Sequence, residues 1–371
     1  MLSRFSWLAM RAGSLLVLMT ASATAATVYQ QTNLVSDIPG MAAHTDPNLV
    51  NPWGISSSAT SPIWVSDAGT SKATVYNGSG TPQALVVSIP PSGTEPTGQV
   101  FNDSGSGFNV NGQSSRFLFA TTSGTVAGWN SASGTTAIIG FNSTDNAVYT
   151  GLAMGTNAGQ TFLYAADFAG GKIDVIDTNF GLTTVAGAFN DPNLPAGYSP
   201  FNIQNINGHL FVLYALVDQA THEETKGAGL GIVAEFNPDG TLVRRFATGG
   251  ALNAPWAMVQ APAGFGEFSG ALLIGNFGDG RINAFDPATG NALGVLTALG
   301  GIPIENEGLW GLRFGNGGNG GDPTTLFFAA GIDDENHGLF GSIQPTPEPG
   351  TLALLSVGVL AGMWRLRRRT I

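Results

Sequence analysis

Cysteine is absent from the 371 residues. That excludes disulfide staples and thiolate chemistry, so an exported form of this chain must draw its stability from a sizeable core or from bound ions. Charge is scarce as well, at 11% of residues, with 14 basic against 25 acidic. Six of the basic residues (Arg4, Arg11, Arg365, Arg367, Arg368, Arg369) and one acid, Glu348, lie in the terminal segments, leaving 8 against 24 between them and a net charge near −16. Such a surface excludes attraction to nucleic acid or acidic lipid; it suits divalent cations, neutral glycans or simple solubility. Long helical periodicity is missing, which excludes a helical bundle. There is no Gly-x-Ser-x-Gly elbow, no His-x-x-x-His or His-x-His pair, and no glycine-rich loop followed by Lys-Ser/Thr, so elbow hydrolases, helical zinc sites and P-loops have no support.

What is present is sharpest at the two ends. Arg4 and Arg11 precede the apolar run Ala12 to Thr20 and the small-residue site Ala23-Thr24-Ala25, the pattern of a signal peptide over residues 1–25 with the mature chain beginning at Ala26. The other end reads Pro345-Thr346-Pro347-Glu348-Pro349-Gly350, an apolar stretch Thr351 to Trp364, then Arg365, Arg367, Arg368 and Arg369. Fourteen apolar residues fall short of the ~20 that a helix needs to cross a hydrocarbon core, which fits a transient anchor with its arginines on the cytoplasmic side. Residues 344–371 resemble a PEP-CTERM sorting tail, with Pro347, Glu348, Pro349 and the four arginines as its motif. The resemblance implies signal peptidase and an exosortase as partners, transient inner-membrane anchoring, cleavage near Pro-Glu-Pro, and transfer to the cell surface or extracellular matrix where exopolysaccharide is assembled.

Between the signals, residues 26–343 are rich in glycine (53 of 371 overall) and in short apolar runs punctuated by Gly, Asn, Asp and Pro, which reads as all-β. One unit recurs six times: Pro52-Trp53-Gly54-Ile55, Pro96-Thr97-Gly98-Gln99-Val100, Tyr149-Thr150-Gly151-Leu152-Ala153, Ser199-Pro200-Phe201-Asn202-Ile203, Ala254-Pro255-Trp256-Ala257-Met258 and Leu309-Trp310-Gly311-Leu312-Arg313. A hairpin follows each, as in Ile63 to Asp67 into Ala73 to Tyr76; the fourth copy carries an insertion through Thr221 to Gly229. A spacing of about 45 to 55 residues is that of a four-stranded propeller blade. The expectation is a six-bladed β-propeller whose last blade is completed by Val28 to Val35. Seven blades with one degenerate copy, or an open sandwich, are the alternatives.

The segments Thr32 to Asp37, Thr45 to Gly54, Asp191 to Tyr198, Asn276 to Pro287 and Asp334 to Ile343 resemble a family of bacterial exported proteins that often end in a PEP-CTERM tail and have no established activity. The resemblance implies a propeller similar to NHL-repeat proteins and, more distantly, to gluconolactonases.

Candidate chemistry is sparse. Asp67, Asp167 and Asp279, with Asn276, stand at hairpin turns, where short polar side chains accept backbone N–H bonds; the alternative is a set of calcium ligands facing the channel. His44 and Asp46 precede the first copy, and Asp333, Asp334 and His337 occupy the last hairpin. Ring closure makes the two segments neighbours, either as a polar staple between first and last blades or as a metal site. His209 and His222 read as surface residues, and Gly315 to Asp322 as a flexible loop. Trp53, Trp256 and Trp310 occupy matching places and suit core packing or a channel lining for sugars; Trp129 suits either. Two functions follow: a non-catalytic surface protein binding a glycan, a protein or its own copy, and a calcium-dependent hydrolase of lactonase type.

Overall fold

β-Branched and aromatic residues fill the short runs of each repeat, and residues at positive φ turn one run into the next. Ala158-Gly159 and Asn207-Gly208 are two-residue turns with both residues at positive φ, the geometry that lets adjacent strands twist together. The structure, a computed structural model, describes residues 27–347. Those residues form six antiparallel blades. Blade one comprises Pro52–Ser56, Ile63–Asp67, Lys72–Tyr76 and Val87–Ser88. Blade two comprises Pro96–Phe101, Phe117–Thr121, Thr125–Trp129 and Ile138–Asn142. Blade three is Tyr149–Asn157, Gln160–Asp167, Lys172–Asp177 and Leu182–Thr183. Blade four is Tyr198–Ile206, His209–Leu216, Ile232–Phe236 and Leu242–Thr248. Blade five is Pro255–Gln260, Leu272–Asn276, Ile282–Phe285 and Ala292–Val295.

Blade six closes the ring. Its strands Leu309–Phe314, Leu326–Ile332 and His337–Pro347 are joined by the N-terminal strand Thr27–Ser36, which pairs antiparallel with His337–Pro347. The six sequence copies are the six innermost strands, so the count is six and neither the seven-bladed nor the sandwich alternative holds. Each blade buries its apolar faces against its neighbours. Tyr29 of the closing strand illustrates this: it is buried against Phe265 and Phe268 beside blade five, and its hydroxyl donates to the Phe265 carbonyl at 3.1 Å.

The last strand runs four residues past Ile343, and Thr27 pairs with Pro347. Beyond Ile343 this strand is paired on one side only, so Pro345 and Pro347, which lack an N–H, fall where no second ladder needs one. The signal peptide and the sorting residues Glu348, Pro349, Arg365, Arg367, Arg368 and Arg369 lie outside the described residues. Among the described residues no helix is long and apolar enough to cross a membrane.

The glycine-rich run departs from its expectation. Rather than a free loop, it is clamped to blade one: Asn316 donates to the Ser58 and Ser61 carbonyls at 2.8 Å, and Gly78 N–H donates to the Asn319 carbonyl at 2.8 Å. A side chain at Gly78 would strike Gly321 at 2.3 Å, so the glycines permit backbone contact between blades.

Candidate functional site

The repeated motif has a geometric cause. In all six inner strands one extra residue bulges out of register with the second strand, at or beside Trp53, Thr97, Thr150, Phe201, Trp256 and Trp310. The residue after it is glycine in four copies because adjacent inner strands nearly touch there. A Cβ on Gly54 would lie 2.5 Å from Thr97 O, one on Gly98 2.2 Å from Leu152 N, one on Gly151 2.1 Å from Asn202 Oδ1, and one on Gly311 2.5 Å from Trp53 O. The last of these contacts closes the circle between blades six and one.

Four bulge residues meet at the axis and plug it. Trp53 and Trp310 stack with centroids 3.5 Å apart, Trp256 meets both edge-on, and Phe201 packs beside Trp310. Trp256 Nε1 reaches across the axis to the Thr150 carbonyl at 3.0 Å. Phe168 and Phe277, from the hairpins of blades three and five, extend the cluster, with Phe277 4.0 Å from Trp310. The three matching tryptophans are therefore core, and Trp129 likewise packs on Trp64 and Phe117.

On one side of this plug the channel widens into a funnel of about 1040 Å³ at the C-terminal ends of the six inner strands. All six blades contribute to its wall. The wall is mixed: the amides and hydroxyls of Gln99, Gln204, Asn205, Asn207, Gln260, Asn316 and Ser56 to Ser58 alternate with a larger set of apolar side chains, among them Ile55, Val100, Phe101, Leu152, Met154, Trp256 and Met258. The amides also stitch the blades together. Gln99 Nε2 donates to the Gly54 and Trp64 carbonyls at 2.6 and 2.7 Å, Asn205 to the Met154 carbonyl at 2.7 Å, and Asn207 to Gln260 Oε1 at 2.7 Å. Two wall residues each carry a buried atom, Gln99 Oε1 and Ser56 Oγ, with no hydrogen-bond partner among the described residues. Asp103 and Arg313 are the only charged residues on the wall.

The opposite mouth is acidic. The blade-four insertion bridges Val217 to Glu224 and holds Lys226 Nζ 4.3 Å from the Phe277 ring. Burial, with repulsion from Glu335 and Glu223, raises the Glu224 carboxyl to about 7. Glu335 is also raised by burial, against a hydrogen bond from Asn51 Nδ2 at 2.7 Å, and Asn51 in turn accepts from Trp310 Nε1 at 3.1 Å.

The hairpin acids mostly serve their own turns. Asp167 accepts from the Val148 and Gly170 amides, and Asp279 from the Arg281 amide and the Asn276 side chain. Asp67 is fully buried with both oxygens unpartnered, and burial pushes its carboxyl well above the ordinary carboxylate range. Of the closure residues, His337 pairs through Nδ1 with Asp37 at 2.6 Å and its Nε2 lies 3.9 Å from Asp333, while Asp46 accepts from Tyr76 Oη at 2.9 Å and from Asn48. His44 pairs with Val35 at the sheet edge and Asp334 is exposed. The closing strand Thr27–Ser36 separates His44 from His337, and these contacts staple the chain locally without gathering the five residues at one point. His222 is exposed, and His209 opens a strand 3.3 Å from Glu235.

Among the described residues, one group of carboxylates could share an ion: Asp145, Asp167 and Asp174, with ligand atoms within 4.8 Å of one another. Lys172 supplies the cation there, 2.7 Å from Asp145 and 2.9 Å from Asp174. That trio therefore does not fit a calcium site. Sequence reasoning missed the funnel residues. Their signal is the C-terminal end of each repeat copy, just past the conspicuous Trp-Gly or Thr-Gly.

A family model for the PEP-CTERM protein-sorting motif matches residues 345–369. Two uncharacterised proteins of Acanthamoeba polyphaga mimivirus are similar along most of the chain. One is 37% identical over 336 residues, 86% of this chain and 81% of that protein; the other is 36% identical over 326 residues, 84% of each. The chain belongs to their family. These relatives are viral, so the expected bacterial origin does not follow from membership. Among solved structures, the fold is similar to a streptogramin B lyase (TM-score 0.52, 13% identity, 86% of this chain and 98% of that one). It is also similar to an auxiliary nutrient binding protein of Bacteroides ovatus (TM-score 0.53, 10% identity, 87% and 78%). At such identities the likeness concerns the fold alone. A propeller ending in this sorting motif points to an exported protein processed by an exosortase.

Proposed function

We propose that the protein is a cell-surface or matrix propeller that binds a glycan, of the kind found in exopolysaccharide, in the funnel and performs no chemistry on it. The observation that carries this reading is the funnel wall, built by all six blades from amides and hydroxyls set among apolar side chains. Neutral hydroxyls need donors and acceptors in about equal number, with apolar patches for the ring faces, and that is the composition of this wall. Its two charged residues, Asp103 and Arg313, do not supply the paired acid and base that hydrolysis needs.

Equilibrium dialysis of the full-length protein in detergent against oligosaccharides of the producer's exopolysaccharide tests it. Gln204→Trp, which fills the funnel, is expected to weaken binding on the order of tenfold or more, the loss of one or two good hydrogen bonds. Equal binding by this variant and the wild type would place the glycan elsewhere. The second reading, a calcium-dependent lactonase-type hydrolase, draws on the raised carboxyls Glu224 and Glu335 at the other mouth. Thermal unfolding with EDTA and then with calcium separates the two, because an ion held by the native state must raise its stability.

A further inference from the structure

Among the described residues Lys172, Arg244, Arg245 and Arg281 each lie within 4 Å of a carboxylate, whereas Lys72, Arg116, Lys226 and Arg313 do not; of these four, Arg313 is the one on the funnel wall. It sits on the funnel wall, half-buried, in a body with 8 basic and 24 acidic residues. Two of its five N–H groups are used: Nε donates to Ser57 Oγ and Nη2 to the Ser57 carbonyl, both at 2.9 Å. These bonds lock the side chain along blade one. Among the described residues the edge formed by Nη1 and the second N–H of Nη2 has no hydrogen-bond partner, and that edge is the fork that matches a carboxylate in two parallel hydrogen bonds.

Resting on the reading of the funnel as a glycan site, we propose that its preferred ligand is an acidic sugar of uronic-acid type, whose carboxylate seats on the free edge of Arg313 while its hydroxyls take the amides of the wall. A half-buried guanidinium without a counterion is costly, and a carboxylate arriving with the ligand removes that cost. Desolvation lowers the Arg313 pKa only to about 10, so the group is fully charged at neutral pH. The protein's overall negative charge opposes an anion at long range, but over more than about 8 Å physiological salt screens that repulsion, and inside the funnel the direct contact dominates. Asp103, exposed and the only other charge on the wall, would repel a carboxylate placed near it, which favours the side of the funnel away from that residue.

The test is calorimetric titration of the full-length protein with uronate oligosaccharides, their neutral methyl esters and sulfated neutral oligosaccharides. The free acid is expected to bind on the order of tenfold tighter than its ester, as a charge-assisted hydrogen bond predicts. Arg313→Gln should bring acid and ester to the same affinity, and Arg313→Lys, which keeps charge but loses the fork, should retain only part of the preference. Circular dichroism confirms that both variants are folded. Equal affinity of acid and ester for the wild type, a preference unchanged in R313Q, or sulfated sugars outbinding the uronates would each overturn the proposal. If no oligosaccharide binds, the glycan reading fails separately. The arginine seat is then judged by titrating free glucuronate against the Arg313 Nε–H NMR signal: a saturable shift, absent with the neutral methyl ester, upholds it and no shift overturns it.

Discussion

Gly98 shows how closely single atoms set this ring. A methyl group there would meet the Leu152 amide nitrogen at 2.2 Å, backbone against backbone, with no flexible side chain to yield. Gly98→Ala is expected to cost about 3 kcal/mol, at the upper end for overpacking, measured by urea denaturation. Glu224 makes a pH argument at the same scale. Its carboxyl rises from an ordinary 4.5 to about 7, so the folded state holds a proton that the unfolded chain releases. The stability this proton contributes is fully present below pH 4.5 and is lost as pH rises through about 7. Glu224→Gln keeps the neutral form at every pH. Relative to wild type, the variant should gain about 1–2 kcal/mol between pH 5 and pH 8, allowing for solvent screening. Denaturation curves at the two pH values check it; a parallel pH dependence in both proteins would show that Glu224 ionises normally.

Among the elements, the closing strand Thr27–Ser36 carries the most, because it alone joins the N-terminal end of the described chain to blade six. Its place as the missing strand of the last blade was legible in advance, but not its burial: Val28 and Tyr29, and Leu34 to Ser36, are buried in succession, so both faces pack near its ends. Tyr29→Ala removes a buried ring stacked near Phe268 and a hydroxyl bonded to Phe265, and should cost about 3–4 kcal/mol. Hydrogen exchange locates the loss: amides of Thr27–Ser36 and of Ile343 should lose protection first, while those of blade three keep theirs. The glycine-rich run Gly315 to Asp322 was not legible. Its composition signals freedom, and what restrains it, Asn316 reaching the Ser58 and Ser61 carbonyls, lies more than 250 residues away.

At the scale of the whole molecule, the sorting motif over residues 345–369 makes its own prediction. Replacing Pro347, Glu348 and Pro349 with alanine should leave the unprocessed chain in the membrane fraction without altering ligand binding. Fractionation and the intact mass of the recovered chain decide it; a processed mass identical to wild type would show that exosortase handling does not depend on the triplet. Only Pro347 of the three belongs to the described sheet, where it pairs with Thr27.

The sequence by itself determined the all-β class, the six blades and the sorting address, because each depends on local chemistry repeated or placed at a fixed spot. A bulge recurs in every inner strand, followed by glycine in four where the strands approach most closely, and recurrence is visible in one dimension. The site is different. It is assembled from the non-repeating ends of six copies, with Arg313 held by Ser57 across 256 residues, so no local pattern marks it. Only ring closure decided which polar residues share a wall, which acids turn into their own hairpins, and that Lys172 fills the one carboxylate trio among the described residues that could have held an ion.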